Sequence, residues 1–376
     1  MKLLFVTGGS PATVFAMTPL ATSCRNAGHR ILIATNREST RAAMNAGLPT
    51  ICISENSVRS HIQKLRMSGN SEMKEDDSMD LLDFGEVFAN IAVEYLPKLR
   101  KIVETWRPDI VIGGQLQYSA GLVSREFGLP YIRLAWDMGE PPELDQVAEN
   151  TIASRLPFTK KNGLAEPTLN IGVCPPSVCD PRIPVDVVMQ WIPYNDQIEL
   201  RTDLLDNSYR TVFLTAGTKV KYPDYFYSYL RAMVIELQRV DARLLVSVPQ
   251  DAAQQMHRDT GAQVEWLPFD SVSKTVDLVV HHGGGGTALT AIAYGLPQVV
   301  LPNMPKLVQP AQRLEKQGAA RVLLPQEENK PGALIETVES VLENIELYRR
   351  LSARLREEMY SMPTPNDIVE TIERVR

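Results

Sequence analysis

Two groups of residues in this sequence have the types and spacing to do chemistry. The first is His281-His282-Gly283-Gly284-Gly285-Gly286-Thr287, which follows the apolar run Val276–Val280. Glycines let a backbone approach a ligand closely, and a helix start offers unpaired N–H groups with a partial positive charge. With imidazole donors in front of it, such a turn favours a phosphate or diphosphate. The alternative is that the glycines only let a helix and a strand pack closely. One histidine is expected to donate to phosphate and the other to pack. The second group is Trp136-Asp137. A carboxylate beside a ring that excludes water can act as a general base, the alternative being that it caps the segment that follows.

Other chemistries are excluded. No G-x-G-x-x-G and no G-x-x-x-x-G-K-[ST] is present, and the run Gln298–Pro302 ends in Asn303 rather than in an acidic ribose ligand. No acidic cluster stands near the paired histidines, so no metal is expected. His29, His61 and His257 read as structural, on a turn, an insertion and a surface helix, and no Ser-His-Asp arrangement can be assembled.

The elements that must position these residues alternate between strand and helix. Lys2–Val6, Ile31–Ala34, Asp109–Ile112 and Tyr131–Trp136 read as strands, separated by helices over Val14–Asn26, Val87–Trp106 and Ser119–Phe127. Glu55–Asp83 has no sustained periodicity and reads as an insertion, a substrate lid or a disordered stretch. Proline is dense from Glu140 to Pro193, which reads as a connector. The alternation restarts with strands Thr211–Thr215, Arg243–Val248 and Gln263–Leu267, the glycine turn and its helix, and Val299–Leu301. Helices over Gln309–Gln317, Ala333–Asn344, Tyr348–Tyr360 and Asp367–Val375 are expected toward the end, the first two separated by a strand at Ala320–Leu324. Two such arrays imply two α/β domains with parallel sheets, at residues 1–195 and 208–362, facing a cleft. Ligands then bind beyond the carboxyl ends of the strands. The candidates there are Gly8 to Thr13, Gly113 to Gln115 and Trp136-Asp137 in the first array, where Asp137 is the only ionisable side chain. In the second they are Thr215 to Lys219, Trp266 to Phe269 and His281 to Thr287.

At 376 residues the chain suits two domains. An apolar fraction of 44% and a charged fraction of 22% are those of a globular protein, and a net charge of −6 argues against a nucleic-acid partner. Gly8, Gly9, Ser10 and Pro11 interrupt the first apolar run too early for a signal sequence, and no run is long enough to span a bilayer, so a cytoplasmic protein without a membrane partner is expected. The four cysteines lack zinc spacing, and Cys174 and Cys179 are expected to stay reduced.

The glycine turn with Ala291, Gly295, Pro297 and Gln298 resembles the donor signature of GT-B glycosyltransferases that decorate antibiotics. The resemblance covers essentially the whole chain. It implies a GT-B fold and a nucleotide-activated deoxysugar donor, commonly dTDP-linked. Thr215, Gly217 and Thr218 match the phosphate-side loop, and Trp266 and Leu267 the nucleobase segment. His281 matches the single invariant histidine of the family, which makes it the expected phosphate donor. The last helix, after Pro365, resembles one that packs back on the first domain.

Gly9–Ala16, Asn26–His29, Trp106–Asp109, Trp136-Asp137 and Cys174–Ser177 resemble urdamycin-type enzymes, which transfer D-olivose to aromatic polyketides. Ser10, Thr13 and Trp136 are the acceptor-side residues this implies. The usual catalytic histidine of the first loop is absent, with Thr13 near its place, and the usual Asp-Gln sugar-recognition pair reads Val308-Gln309. Loss of that aspartate fits a sugar with fewer hydroxyls.

The function expected is inverting transfer of a deoxysugar to an aromatic aglycone, through carbon, with Asp137 as base and no cofactor or metal. Transfer to oxygen is the alternative, and a sugar-nucleotide epimerase of the same fold is disfavoured by the absence of acidic residues at the glycine turn. An inactive partner protein is disfavoured by Asp137. A homodimer stays open.

Overall fold

The computed structural model describes residues 1–67, 81–156, 164–217, 224–324, 327, 330 and 332–375. They divide into two compact units. Unit 1 comprises Met1–Val173, Asp180–Gln190 and Pro363–Arg376, and unit 2 comprises Cys174–Cys179 and Trp191–Met362. The chain therefore passes into unit 2 at Trp191, shortly before the expected end of the first domain at residue 195, and a short excursion at Cys174–Cys179 also belongs there.

Unit 1 contains β1 (Lys2–Val6), α1 (Pro11–Asn26), β2 (Arg30–Asn36), α2 (Arg37–Asn45), β3 (Thr50–Ser54), α3 (Val58–Met67) and α4 (Leu81–Trp106). These are followed by β4 (Ile110–Gly114), α5 (Tyr118–Phe127), β5 (Tyr131–Leu134), α6 (Glu143–Arg155), β6 (Leu169–Gly172) and β7 (Val187–Val188). The strands form one parallel sheet in the order β3-β2-β1-β4-β5-β6-β7. Its central strands are buried on both faces, which is why β1 and β4 read as unbroken apolar runs.

Unit 2 contains β8 (Thr211–Thr215), α7 (Asp224–Leu237), β9 (Arg243–Ser247), α8 (Gln250–Thr260), β10 (Val264–Glu265), α9 (Phe269–Val272), β11 (Leu278–His281) and α10 (Gly285–Tyr294). After them come β12 (Gln298–Val300), α11 (Pro305–Lys316), β13 (Ala320–Val322), α12 (Ala333–Glu343) and α13 (Ile345–Tyr360). Its parallel sheet runs β10-β9-β8-β11-β12-β13. One apolar cluster packs α7 and α12 on one face of it, and a second, with Phe213 stacked on Phe269, fills the other.

The last helix, α14 (Pro365–Arg374), belongs to unit 1. Thr364 accepts the Asp367 N–H while the Asp367 carboxylate accepts the Thr364 N–H, and Pro365 occupies the first turn. The helix packs along α1, burying Ile368, Val369 and Ile372, and Glu373 stands 3.0 Å from His29.

Two expectations are corrected here. The insertion Glu55–Asp83 is helical over Val58–Met67, with His61 and Leu65 buried, and helical again from Leu81; residues 68–80 of it lie outside the described residues. The proline-dense stretch is not a connector, because α6, β6 and β7 lie within it and extend the sheet. Its prolines sit between those elements: Pro141 and Pro142 precede α6, Pro167 precedes β6, and Pro181 and Pro184 precede β7. All four cysteines are free thiols.

Candidate active site

In both units the strand order reverses direction once, between β1 and β4 and between β8 and β11. Such switch points open a crevice at the carboxyl ends of the strands. The glycine turn follows β11, so the sequence feature most suited to an anion stands at the switch point of unit 2.

The turn is built from local chemistry. The strand Leu278-Val279-Val280-His281 is wholly buried, and beyond it the chain turns at Gly283, whose φ of 88° suits a residue without a Cβ. Gly284 is the N-cap of α10 and has no side chain with which to cap it, which leaves the N–H groups of Gly285 and Gly286 for a ligand, while the Thr287 N–H donates to the Gly284 carbonyl at 3.1 Å. At its far end α10 stops at Gly295, left-handed at φ 66°, whose N–H reaches the carbonyls of Ala291 and Ile292.

The two histidines take different roles. His281 is fully buried. Its Nδ1 accepts the Gly283 N–H at 3.1 Å, and its Nε2 lies 2.9 Å from Gln298 Oε1. A backbone N–H can only donate, so Nδ1 is the acceptor nitrogen, Nε2 carries the proton, and the Gln298 atom facing it is the oxygen. Burial pushes the imidazole down to about 4, against the Gln298 hydrogen bond, which raises it. The expectation that His281 donates to phosphate is therefore corrected, since both ring nitrogens hold the turn together.

His282 is buried to 6% exposure, with its ring between two glycines. A Cβ on Gly217 would stand 3.0 Å from its Cε1, and one on Gly284 would stand 2.7 Å from its Nε2. The imidazole thus bridges the loop after β8 and the start of α10. Gly217 is left-handed at φ 66°, and its N–H donates to Thr215 Oγ1 at 3.1 Å. Thr215, Gly217, His282 and Gly284 are brought together in this way, with Gly285, Gly286 and Thr287 forming the first turn of α10. Trp191 closes the other side of that turn. Its ring lies 3.8 Å from a Cβ placed on Gly286, and its indole N–H donates to Thr290 at 3.2 Å. Thr218 lies outside the described residues.

Leu267 is held at the carboxyl end of β9, next to β8, by a reciprocal pair of bonds with Ser247 Oγ at 3.0 and 2.9 Å, and Trp266 beside it is half-buried. Gln309 is exposed on α11, which starts four residues before it at Pro305.

In unit 1, Gly8 to Thr13 follow β1. The Thr13 hydroxyl donates to the Ser10 carbonyl at 2.9 Å and accepts from Thr7 Oγ1 at 2.9 Å, so it braces the loop, while Ser10 is the half-buried N-cap of α1. Gln117 Nε2 donates to the Gly8 carbonyl at 3.0 Å across the switch point. Trp136 is buried against Gly114, where any Cβ would run into its ring. Asp137 is half-buried and accepts the Gly139 N–H on Oδ1 at 2.8 Å. The capping alternative is thus present for one oxygen of the carboxylate. Arg133 holds this end of the sheet together through a bidentate pair with Asp145, at 2.7 and 2.8 Å, and a bond to the Gln115 carbonyl.

Sequence reasoning overlooked a second ionisable group at these strand ends. Ser54, Asn56, His61 and Glu94 converge beyond β3. Glu94 accepts from Ser54 Oγ and from Asn56 Nδ2 at 3.0 Å, and His61 Nε2 stands 3.2 Å from its Oε2. Burial pushes the Glu94 carboxyl up, but the bonds from Ser54 and Asn56 and the nearby His61 and Lys64 bring it below its usual value. Burial pushes His61 down, Glu94 opposes this and Lys64 adds to it. A signal was available: His61 and Leu65 share a helix face, and Glu94 borders the buried Ile91-Ala92 and Tyr95-Leu96. Among the described residues no group of three or more His, Cys, Asp or Glu could hold a metal ion, and no helix is long and apolar enough to cross a membrane.

The sequence matches the models for the N-terminal and C-terminal domains described as erythromycin biosynthesis protein CIII-like, over residues 22–217 and 231–375. An L-demethylnoviosyl transferase of Streptomyces niveus is 26% identical, with 98% of this chain and 97% of the relative covered. An aclacinomycin-T 2-deoxy-L-fucose transferase of Streptomyces galilaeus is 24% identical, over 100% and 96%. Among solved structures, the glycosyltransferase SsfS6 of Streptomyces sp. SF2575, complexed with thymidine diphosphate, superposes with a TM-score of 0.84 at 26% identity, covering 99% of each chain.

Proposed function

From the premise that the chain belongs to the erythromycin biosynthesis protein CIII-like family, and is a glycosyltransferase of GT-B fold, we propose that it moves a deoxysugar from a dTDP donor to an aromatic polyketide aglycone. The observation that carries this is the glycine turn at the switch point of unit 2, with the His282 ring set between Gly217 and Gly284. The activities named for the relatives, a demethylnoviosyl and a 2-deoxy-L-fucose transferase, support the deoxysugar, and the thymidine diphosphate in SsfS6 supports the nucleotide.

In this reading the first-turn N–H groups of α10 and His282 hold the diphosphate, with Thr215 and Gly217 beside it. Trp266 and Leu267 face the base and Gln309 the sugar. No metal or cofactor is needed, because backbone dipoles and an imidazole neutralise the leaving group. Asp137 takes a proton from a phenolic hydroxyl of the acceptor. The resulting phenolate attacks the anomeric carbon opposite the diphosphate, through an ortho or para carbon or through oxygen. The bond from that carbon to the diphosphate oxygen breaks, and the electron pair leaves with dTDP. The configuration at the anomeric carbon inverts, and after attack through carbon the attacking ring carbon gives up its C–H proton and the oxygen regains one, which restores the aromatic phenol. We propose attack through carbon, on the strength of the urdamycin-type stretches, with Val308-Gln309 supporting a sugar of few hydroxyls, and place the protein in the cytoplasm.

Incubation with dTDP-D-olivose and a panel of hydroxyanthraquinones tests this reading. A glycosylated product that survives acid is a C-glycoside; one that is hydrolysed is an O-glycoside and corrects the bond type. No product with any of the panel would remove the acceptor class.

His282→Ala is expected to weaken dTDP binding about tenfold or more, since a hydrogen bond to a charged group contributes roughly 1.5–3 kcal/mol. Calorimetric titration with dTDP measures it. An unchanged affinity would take His282 out of the site.

A further inference from the structure

Ahead of β8 the chain runs without helix or strand from Trp191 to Arg201, and Trp191 is nonetheless buried to 6% exposure. The segment is strapped to unit 2 by side chains. Asn195 Nδ2 and Gln197 Nε2 donate to the two oxygens of Asp270 on α9, at 3.1 and 3.0 Å, and Ser271 Oγ donates to Gln197 Oε1 at 2.8 Å. At the head of this strap the Trp191 indole N–H donates to Thr290 Oγ1 on α10 at 3.2 Å, and Cζ2 and Cη2 of its ring lie 3.8 and 4.0 Å from a Cβ placed on Gly286. Gly286 and Thr290 are four residues apart, so they share one face of the helix, and the indole spans both.

The first turn of α10 needs such a support. Its N-cap and first two residues, Gly284, Gly285 and Gly286, have no side chains and no side-chain cap is made, and glycine lowers helix stability relative to alanine. A frayed turn does not present the Gly285 and Gly286 N–H groups together. A site that is competent only about a tenth of the time binds about tenfold more weakly. His282 steadies the turn at Gly284, and Trp191 steadies it at Gly286 and again one turn on. The free N–H groups point along the helix axis while the indole lies on its flank, so the ring can order the turn without taking the ligand's place.

We propose that Trp191 is a positioning residue for the donor: held on the flank of α10 by Thr290, it keeps the first turn ordered so that the Gly285 and Gly286 N–H groups meet the diphosphate together. It serves the diphosphate, and neither the base nor the sugar. This inference deepens the proposed function and rests on its dTDP donor.

The test uses the full chain and four ligands: dTDP, inorganic pyrophosphate, thymidine and dTDP-D-olivose. Trp191→Phe keeps an aromatic ring and loses the N–H, and its Kd for dTDP should rise about three- to tenfold, the worth of one hydrogen bond. Thr290→Val should do the same, and the double variant should be no weaker than either alone, because both remove one shared interaction. Pyrophosphate should weaken by the same factor, thymidine should bind as in the wild type, and dTDP-D-olivose should weaken no more than dTDP. Calorimetry reads the nucleotides and NMR titration the weaker ligands, with melting temperature measured alongside. Unchanged dTDP affinity in Trp191→Phe and in Thr290→Val would overturn the proposal. So would a weakening of thymidine equal to that of dTDP, together with a lowered melting temperature, which is the pattern of a general structural role. A loss seen with dTDP-D-olivose and not with dTDP would also overturn it, by making Trp191 a contact of the sugar. If the wild type binds neither dTDP nor pyrophosphate, the donor reading fails first and this inference fails with it.

Discussion

Asp137→Asn is expected to lower turnover by ~10²–10⁴-fold, the usual worth of a general base, while leaving the melting temperature and dTDP affinity as they are. The substitution is nearly silent structurally. An asparagine side-chain oxygen can still accept the Gly139 N–H that Asp137 Oδ1 accepts at 2.8 Å, and Trp136 keeps its seat on Gly114. What is lost is the capacity to take a proton. Thr13 cannot supply it, because its hydroxyl already donates to the Ser10 carbonyl. The deficit should shrink as pH rises, since a phenolic acceptor ionises without help. Initial rates from about pH 6 to about pH 10 measure both. A variant that turns over near the wild-type rate at neutral pH would show that Asp137 is not the base. Glu140, the next carboxylate along the chain and buried to 5% exposure, would then be the side chain to replace.

The part of this site that depends on local chemistry was legible in the sequence. An apolar β-branched run, a glycine turn and a closing Gly295 define the segment from β11 to α10 within two residues, because each signal sits where the backbone needs it. The division of labour between His281 and His282 was not legible. It is decided by Gln298 on the neighbouring strand, and adjacency of β11 and β12 is a tertiary fact. A glutamine opening an otherwise apolar strand was the available hint, since a buried amide requires a partner. His61 and Glu94 were missed for the same reason. They lie 33 positions apart on separate helices, and only the packing of α3 on α4 joins them. Asp137 is therefore not the sole ionisable side chain at the strand ends of the first unit, as reading the strands alone suggests. Proline counting misled at 140–193, where the prolines punctuate α6, β6 and β7 rather than replace them.

Acidification is expected to destabilise unit 2 through His281 before any carboxylate there titrates in its ordinary range. The imidazole is neutral in the fold, with burial pushing it from 6.5 to about 4. Above pH 6.5 neither the folded nor the unfolded chain protonates it appreciably, and its contribution is fully present. Between pH 6.5 and about pH 4 the unfolded chain binds a proton that the folded chain refuses, so stability falls as pH falls. Over that gap of about 2.5 units the loss is roughly 3 kcal/mol, a substantial share of the roughly 5–15 kcal/mol typical of a domain. Protonation would also cost the turn its anchor, because Nδ1 could no longer accept the Gly283 N–H. dTDP affinity should therefore weaken only as the pH nears about 4, where the folded chain itself takes the proton, although His281 touches no phosphate. Urea denaturation of the intact chain at about pH 7 and about pH 4.5, followed by tryptophan fluorescence, reads the first effect, and calorimetry reads the second. His281→Asn should be less stable at neutral pH by roughly 1–3 kcal/mol, the cost of leaving Gln298 or Gly283 without its partner, yet lose less between the two pH values. An equal loss in variant and wild type would mean that His281 does not refuse the proton, and that the acid sensitivity of the unit lies elsewhere.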